Sequence, residues 1–170
     1  MLVFDIETTG LNPFNDGLVT IQIKEGGYVI VWKRWEVSEL GMIGGLMELL
    51  KHIPRDDPIL GYNILKFDLP FIAIRLLLLG KADGRLWSSF YERNWIDLYQ
   101  LLGDQYRNLD FWLARFNIVR TCEVRGCDIP RLFTLERYDK ITLHAMDDIV
   151  SCERLYTELK RQHRQETSYL

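Results

Sequence analysis

The N-terminal run 2–10 (LVFDIETTG) constrains the fold more than any other segment, because it places two carboxylates in an apolar stretch. If this run is a β-strand, its side chains alternate between faces, so Asp5 and Glu7 lie on the same face. Two like charges on one buried face are unfavourable unless a cation lies between them, and oxygen ligands favour Mg²⁺ or Mn²⁺. The alternative interpretation is an acidic, half-exposed edge strand.

The composition is that of a single globular domain over residues 1–170, with 48% hydrophobic and 26% charged residues. No apolar stretch has the roughly 18 residues of a membrane span, and no basic signal-peptide start is present. Three cysteines without a zinc motif predict reduced thiols in a cytoplasmic protein, with a Cys122–Cys127 disulfide as the alternative. The net charge of −3 weakly opposes nucleic-acid binding, although bound metal ions would neutralise acids that the sum counts as negative.

Hydrophobic patterning predicts a hairpin first and then strands that alternate with helices. The predicted strands are Leu18–Lys24, Tyr28–Trp32, Ile59–Tyr62 and Trp95–Leu98, in addition to the N-terminal run. The predicted helices are Ser38–Lys51, which contains three glycines, Leu69–Leu79, a short helix around Leu109–Phe116, and a last helix from about Ile141 to Arg161. This order predicts an α/β fold, with a mixed five-stranded sheet flanked by helices.

A further acid follows the predicted strand at 59–62. The segment 61–68 (GYNILKFD) leaves this strand and enters a helix, which is where ligand sites concentrate in α/β sheets. Asp68 precedes Leu69 and Pro70, so a helix N-cap or first-turn acid is the alternative interpretation. The neighbouring polar and aromatic residues also fit a turn or the core: Asn63, Tyr62 and Phe67.

The last predicted helix contains one acid on an apolar stripe. Residues at spacings of three and four form this stripe: Ile141, Ala145, Asp148, Cys152, Leu155 and Leu159. Asp148 is therefore predicted to be buried, where a carboxylate is unfavourable unless it is paired or binds a metal. The adjacent stripe, which contains His144, Asp147 and Ser151, is solvent-like and predicts Asp147 as a surface acid. His144 lies one turn before Asp148 and can share its pocket, with a surface histidine as the alternative.

Four acids therefore converge in the predicted fold, namely Asp5, Glu7, Asp68 and Asp148. Two divalent ions about 4 Å apart, held by such acids, form a site that cleaves phosphodiesters. A histidine that titrates near neutral pH can accept the proton of the attacking water. The residues by themselves thus predict a metal-dependent nuclease centre served by His144.

The ordered motifs resemble those of the DEDD superfamily of 3′–5′ exonucleases, which have a ribonuclease-H-like fold. Phe4–Gly10 resembles the first exonuclease motif, and Tyr62–Asp68 resembles the second in the form found in proofreading domains of family B DNA polymerases. Trp95–Tyr99 is similar to the strand that follows. Gly126–Pro130 and His144–Tyr156 resemble the tail of stand-alone exonucleases related to those domains.

The resemblance implies that the four acids bind two Mg²⁺ or Mn²⁺ ions. It also implies that a 3′ end is held near the first-motif turn and the second motif, by Thr8, Tyr62, Asn63 and Phe67. The polymerase-like branch has a tyrosine four residues before the last aspartate, and His144 occupies that place here. The histidine branch has its histidine one residue earlier, where this chain has Leu143. We therefore expect His144 to be the general base at the spacing of the tyrosine.

The implied activity is 3′–5′ exonucleolytic hydrolysis of single-stranded or frayed 3′ ends, with DNA favoured over RNA. Two alternatives stay open: a structure-selective ribonuclease or oligonucleotidase with the same site, and a non-catalytic subunit that binds nucleic acid or protein. No polymerase domain follows before Leu170, so we expect the domain to act alone or with a partner protein. The leucines at 76–79 predict either a partner or homodimer contact or burial against the sheet.

Substrate contacts outside the motifs are less specific. A loose basic series precedes the last helix and fits either phosphate contacts or solvated surface: Arg115, Arg120, Arg125, Arg131 and Arg137. Three aromatic residues fit either stacking on unpaired bases or core packing: Trp87, Tyr91 and Trp95.

Overall fold

The computed structural model of this chain describes residues 1–81, 90–103 and 106–167, with side chains described as far as residue 164. The strands are β1 (Leu2–Thr8), β2 (Leu18–Glu25), β3 (Tyr28–Lys33), β4 (Ile59–Gly61) and β5 (Trp95–Asp97). The α-helices are α1 (Glu39–His52), α2 (Asp68–Leu78), α3 (Leu98–Leu101), α4 (Leu109–Arg115), α5 (Ile129–Thr134) and α6 (Tyr138–Thr167), with a 3₁₀ turn at Gly126–Asp128 before α5.

The five strands form one mixed sheet in the order β3-β2-β1-β4-β5. β1 is antiparallel to β2 and parallel to β4, and β4 is parallel to β5. Helices pack on both faces of this sheet. The structure therefore confirms the predicted α/β fold with its mixed five-stranded sheet and flanking helices.

β1 is the central strand and is covered on both faces. Leu2, Phe4 and Ile6 pack into the core cluster formed with α1 and α2. Val3 packs on the opposite face, against the side of α6 that carries Ile149. Since side chains alternate along a strand, the two acids of β1 share the face of Val3, beneath α6. The alternative of an acidic edge strand is wrong.

Helix α1 forms as predicted in spite of its three glycines. The hydroxyl of Ser38 caps it by accepting a hydrogen bond from the N–H of Gly41 (3.1 Å). A Cβ at Gly45 would overlap the indole of Trp32, so glycine allows β3 to pack closely on the helix. Tertiary packing of its buried leucines and methionines outweighs the low helix propensity of glycine here.

Helix α6 is buried along two stripes, and the prediction that one of them faces solvent is wrong. His144, Asp147 and Ser151 are 1%, 5% and 0% exposed. The chain segment that carries Arg120 and Thr121 covers this side of the helix and bonds to Asp147. A helix covered by both a sheet and a connecting segment does not present the simple two-sided pattern of a surface helix.

Glu39, the first residue of α1, is buried and joins three parts of the fold. Its carboxylate accepts hydrogen bonds from the backbone N–H of Leu18 (3.1 Å) and from the guanidinium groups of Arg34 (2.8 Å) and Arg75 (2.7 and 2.8 Å). Arg75 also donates to the carbonyl oxygen of Pro13 (3.0 Å), in the loop that follows β1. The network therefore fixes this loop against the body of the domain.

We expect Glu39→Ala to lower the free energy of unfolding by about 3–5 kcal/mol, because Arg75 and the N–H of Leu18 lose a buried anionic partner. Urea denaturation followed by tryptophan fluorescence measures this loss. Glu36→Ala is the matched control: its ion pair with Lys33 is exposed, and losing it should cost at most about 1 kcal/mol. Similar losses in the two variants would contradict this account of the network.

Three smaller expectations have mixed outcomes. Leu76 is buried, but Leu77 and Leu78 are 54% and 51% exposed, so burial against the sheet holds for only part of the leucine run. Cys122, Cys127 and Cys152 are free thiols, so the alternative disulfide is not formed. Within the described ranges, no helix has both the length and the hydrophobicity that a membrane span requires.

Candidate metal centre

Asp5 is oriented by a chain of buried polar side chains on β2. The Nε2 of Gln22 donates to Oδ2 of Asp5 (2.5 Å), and the hydroxyl of Thr20 donates to Oε1 of Gln22 (2.8 Å). Gln22 lies directly opposite Asp5 in the β1–β2 register and is fully buried, as is Thr20. Sequence reasoning missed this pair, although two polar residues in a strand that alternates so regularly are a signal for a buried polar network.

Asp68 contacts β1 and does not cap its own helix. Its Oδ1 accepts a hydrogen bond from the backbone N–H of Ile6 (3.1 Å), and its side chain is buried. The N-cap position of α2 is Phe67, and no side chain caps the helix there. The N-cap interpretation of Asp68 is therefore wrong, although this acid does lie in the first turn. Its carboxylate is instead held beside Asp5 and Glu7.

Asp97, at the end of β5, holds the loop that leads to Asp68. Its Oδ1 accepts from the N–H groups of Asn63 (2.7 Å) and Tyr99 (3.0 Å), and its Oδ2 accepts from the N–H of Leu65 (3.0 Å). Asn63 has a left-handed backbone with φ of 63°, which asparagine tolerates better than most residues. Sequence reasoning assigned no role to Asp97, although a polar residue at the end of a short buried strand indicates one.

We expect Asp97→Asn to lower the free energy of unfolding by about 1–3 kcal/mol, because an amide NH₂ would face an N–H that now donates to a carboxylate oxygen. Chemical denaturation of the metal-free protein in EDTA measures the loss. Asp56→Asn, in the exposed loop before β4, is the control and should change stability by less than about 0.5 kcal/mol. An Asp97→Asn variant as stable as the natural protein would contradict this role.

The residues predicted to hold a 3′ end lie around the two motif turns. The hydroxyl of Thr8 donates to the carbonyl oxygen of Gly10 (2.7 Å) and so stabilises the turn after β1. The hydroxyl of Tyr62 donates to the carbonyl oxygen of Arg107 (2.6 Å). Phe67 packs against Phe71 of α2, with ring centroids 5.5 Å apart. Thr8, Tyr62 and Phe67 therefore each have a structural partner, and a substrate role for them stays a prediction.

His144 lies between an acid of β1 and the acid one turn later in α6. Its Nε2 is 3.5 Å from Oε1 of Glu7, and its Nδ1 is 3.4 Å from Oδ1 of Asp148. The ring is almost completely buried, so the alternative of a surface histidine is wrong. One donor atom from each of Glu7, His144 and Asp148 lies within 4.8 Å of the others, a spacing compatible with a shared cation.

Arg120 brings a positive charge to this cluster, and sequence reasoning placed it only in a loose basic series. Its guanidinium bonds Asp110 (2.6 Å) and Asp147 (2.9 Å), contacts Asp148 and lies 3.5 Å from Nδ1 of His144. Asp147 also accepts from the backbone N–H of Thr121 (2.9 Å) and from its hydroxyl. Asp147 is therefore a buried partner of Arg120 and Thr121, and the prediction of a surface acid is wrong.

The acids beneath α6 are hard to ionise together. Burial raises the pKa of Asp5 to about 7, although the hydrogen bond from Gln22 acts to lower it. Burial and the nearby charge of Asp5 raise the pKa values of Glu7 and Asp68 well above the ordinary range. Burial and the charge of Arg120 lower the pKa of His144 to about 4, so its imidazole is neutral at physiological pH.

These donors fit a divalent cation. Oδ1 of Asp148 is buried and, among the described residues, has no hydrogen bond, although the guanidinium of Arg120 contacts it. Carboxylate oxygens with a neutral imidazole form a ligand set that Mg²⁺ or Mn²⁺ can use, Mn²⁺ being the more tolerant of nitrogen. A bound cation would also relieve the repulsion that raises the pKa values of the buried acids.

The other predicted substrate residues have diverse surroundings. Arg115, Arg125, Arg131 and Arg137 are exposed, whereas Arg120 is held in ion pairs. The indole of Trp95 packs against Phe4 of β1, with ring centroids 5.5 Å apart, and so belongs to the core. Tyr91 is about half exposed, and Trp87 lies outside the described residues.

Comparison with known proteins agrees with the ribonuclease-H-like fold expected from the motifs. No curated protein matches the chain. Among solved structures, the fold is similar to that of the family B DNA polymerase from the hyperthermophilic archaeon Pyrobaculum calidifontis, with a TM-score of 0.75 and 22% identity over 93% of this chain. The chain spans 24% of that polymerase chain, so the likeness concerns one part of it. A sequence model of the RNase H superfamily matches residues 2–160, and the chain belongs to that superfamily.

Proposed function

We propose that the protein is a metal-dependent 3′–5′ exonuclease that hydrolyses phosphodiester bonds at single-stranded or frayed 3′ ends, with DNA favoured. The observation that carries the proposal is the group formed by Glu7, His144 and Asp148, with Asp5 and Asp68 close enough to Glu7 for their charges to raise its pKa. Buried acids that repel one another lower the stability of a fold, and such groups are typical of functional sites. In addition, the ordered motifs resemble those of DEDD exonucleases.

In this proposal Asp5, Glu7, Asp68 and Asp148 hold two Mg²⁺ or Mn²⁺ ions. When bound, such ions activate a water molecule for attack and stabilise the departing oxygen of the phosphodiester. Gln22 holds one oxygen of Asp5, and the N–H of Ile6 holds one oxygen of Asp68. Both carboxylates are thus oriented in advance, which reduces the reorganisation needed when the ions bind.

His144 is the proposed general base. Its Nδ1 faces both a hydrogen-bond donor, Nη2 of Arg120 at 3.5 Å, and an acceptor, Oδ1 of Asp148 at 3.4 Å. Its Nε2 lies 3.5 Å from Oε1 of Glu7. Burial and the charge of Arg120 lower the pKa of His144 to about 4, so the imidazole is neutral at physiological pH but is a weaker base than the near-neutral histidine that the sequence predicts.

The place proposed for the 3′ end is the surface between the two motif turns. Thr8 stabilises the first turn, and Asp97 fixes the backbone of Asn63 in the second. Two well-fixed turns next to a metal centre suit the positioning of a terminal nucleotide, because a small misplacement of the reacting phosphate costs much of the rate. A non-catalytic subunit is less favoured, since it would have no use for four converging acids and a neutral histidine.

Calorimetric titration with Mg²⁺ and with Mn²⁺, in the presence of a nucleoside monophosphate, tests the metal centre. We expect saturable binding to the natural chain and its loss in Asp5→Ala. Asp56→Ala is the control, since Asp56 lies in an exposed loop outside the cluster, and it should bind as the natural chain does. If the natural chain binds no divalent ion even with the nucleotide present, the proposed function fails.

A further inference from the structure

Arg120 occupies an unusual position for a cation next to a candidate metal centre. It lies in the irregular segment between α4 and the 3₁₀ turn, and its side chain is only 17% exposed. Its three nitrogens have three different surroundings. Nη1 bonds Asp110, Nε bonds Asp147, and Nη2 contacts Asp148 and faces His144.

The charge of Arg120 acts on the centre as a whole. Burial raises the pKa values of Asp5 and Glu7, and the charge of Arg120 partly offsets this rise. The same charge lowers the pKa of His144. A guanidinium stays protonated at every physiological pH, so this effect is permanent. Without an ion in the centre, Arg120 is therefore a resident positive charge beside carboxylates that repel one another.

The same oxygen of Asp148 is used in two ways. Oδ1 contacts Nη2 of Arg120, and it is also the atom of Asp148 that lies 3.4 Å from Nδ1 of His144. An ion held by Glu7 and Asp148 would use this carboxylate, so it would compete with Nη2 for it. A fixed positive charge nearby also opposes the binding of a second cation by direct repulsion.

Two further anchors keep Arg120 in place if Asp148 changes partner. Asp147 bonds Nε and is itself fixed by both the backbone N–H and the hydroxyl of Thr121. Asp110 bonds Nη1 from the other side. The guanidinium can thus lose its contact with Asp148 without leaving the site, and Nη2 would then be a free donor beside the centre.

We propose that Arg120 is a built-in counter-ion that holds Asp148 while the centre is metal-free and gives this carboxylate up when a divalent ion binds. The inference rests on the proposed function, because it requires the same metal centre. It makes Arg120 a positioning residue that stabilises the empty centre at the expense of metal affinity. A merely structural arginine would have the opposite effect, since its loss would disorder the ligands and weaken binding.

The test is calorimetric titration of Arg120→Gln with Mg²⁺ alone. Glutamine can still hydrogen-bond Asp147 but carries no charge, so we expect Mg²⁺ to bind about tenfold more tightly than to the natural chain. Unfolding in EDTA should occur at a lower urea concentration than for the natural chain. Arg115→Gln, an exposed arginine on α4, is the control and should change neither value. Equal or weaker binding by Arg120→Gln would overturn the inference.

A measurement on the natural chain does not depend on the folding of this variant. In nitrogen-15 NMR, we expect the Nε–H signal of Arg120 to persist when Mg²⁺ is added, while its Nη signals shift. Unchanged Nη signals at a Mg²⁺ concentration that saturates the centre would overturn the inference and leave the proposed function intact. Failure of the natural chain to bind Mg²⁺ or Mn²⁺ would overturn both.

Discussion

Asp5→Asn is expected to stabilise the metal-free protein at pH 8 by about 1–3 kcal/mol while abolishing its nuclease activity. Burial raises the pKa of Asp5 from 3.8 in the unfolded chain to about 7 in the folded one, so folding favours the protonated carboxyl. The stability that this group contributes is therefore greatest below pH 4 and falls as the pH rises to about 7. Asparagine removes this penalty and still offers an oxygen to Gln22.

Urea denaturation in EDTA at pH 5 and at pH 8 measures the stabilisation of the metal-free protein by Asp5→Asn, which should be smaller at pH 5. Adding Mg²⁺ or Mn²⁺ should stabilise the natural chain and leave Asp5→Asn unchanged, because an ion stabilises only a folded state that binds it. Asp97→Asn is the matched control, since that buried aspartate accepts three backbone hydrogen bonds and its loss should destabilise. Destabilisation of both variants to the same extent at pH 8 would contradict the account.

His144→Ala is expected to lower the rate of metal-dependent cleavage by about 10²–10⁴-fold, the usual contribution of a general base. The imidazole is neutral, lies against Glu7 and Asp148, and is the one candidate base among the described residues that faces both. Single-turnover cleavage at saturating metal ion measures the rate of the chemical step. Calorimetry should show metal binding within about tenfold of the natural chain, as expected when a neighbour of the ligands is lost.

His52→Ala provides the control, because His52 is an exposed histidine at the end of α1, and it should cleave at the natural rate. An unchanged rate in His144→Ala would remove the role of general base. Loss of metal binding together with activity would instead identify His144 as a metal ligand, which the spacing of Glu7, His144 and Asp148 also allows.

The sheet and the acids of β1 were predictable, because their signals are local. Alternation along a strand has a period of two, so Asp5 and Glu7 had to share a face once the run 2–8 was a strand. The hairpin 18–33 and the Ser38 cap of α1 follow from equally local rules. Asp68 follows a short buried strand, a position typical of ligand sites in α/β sheets, and its carboxylate accepts a hydrogen bond from the backbone of β1.

The surroundings of α6 were not predictable from helical periodicity. Periodicity predicts one buried stripe, and Cys152 and Leu155 of that stripe are core residues, whereas the prediction that Asp148 is buried is wrong, since its side chain is 20% exposed. His144 and Asp147 lie on a second stripe, which is covered by the irregular segment that carries Arg120 and Thr121. The sequence of an irregular segment has no periodicity from which its packing could be predicted. The part played by Arg120 was missed for the same reason.

The central claim is tested most directly with 5′-end-labelled single strands of DNA and of RNA, incubated with Mg²⁺ or Mn²⁺. The account predicts a ladder of products that shortens progressively from the 3′ end, faster on DNA than on RNA, and absent in EDTA and in Asp68→Ala. Products from internal cuts alone, or cleavage that persists in Asp68→Ala, would contradict it.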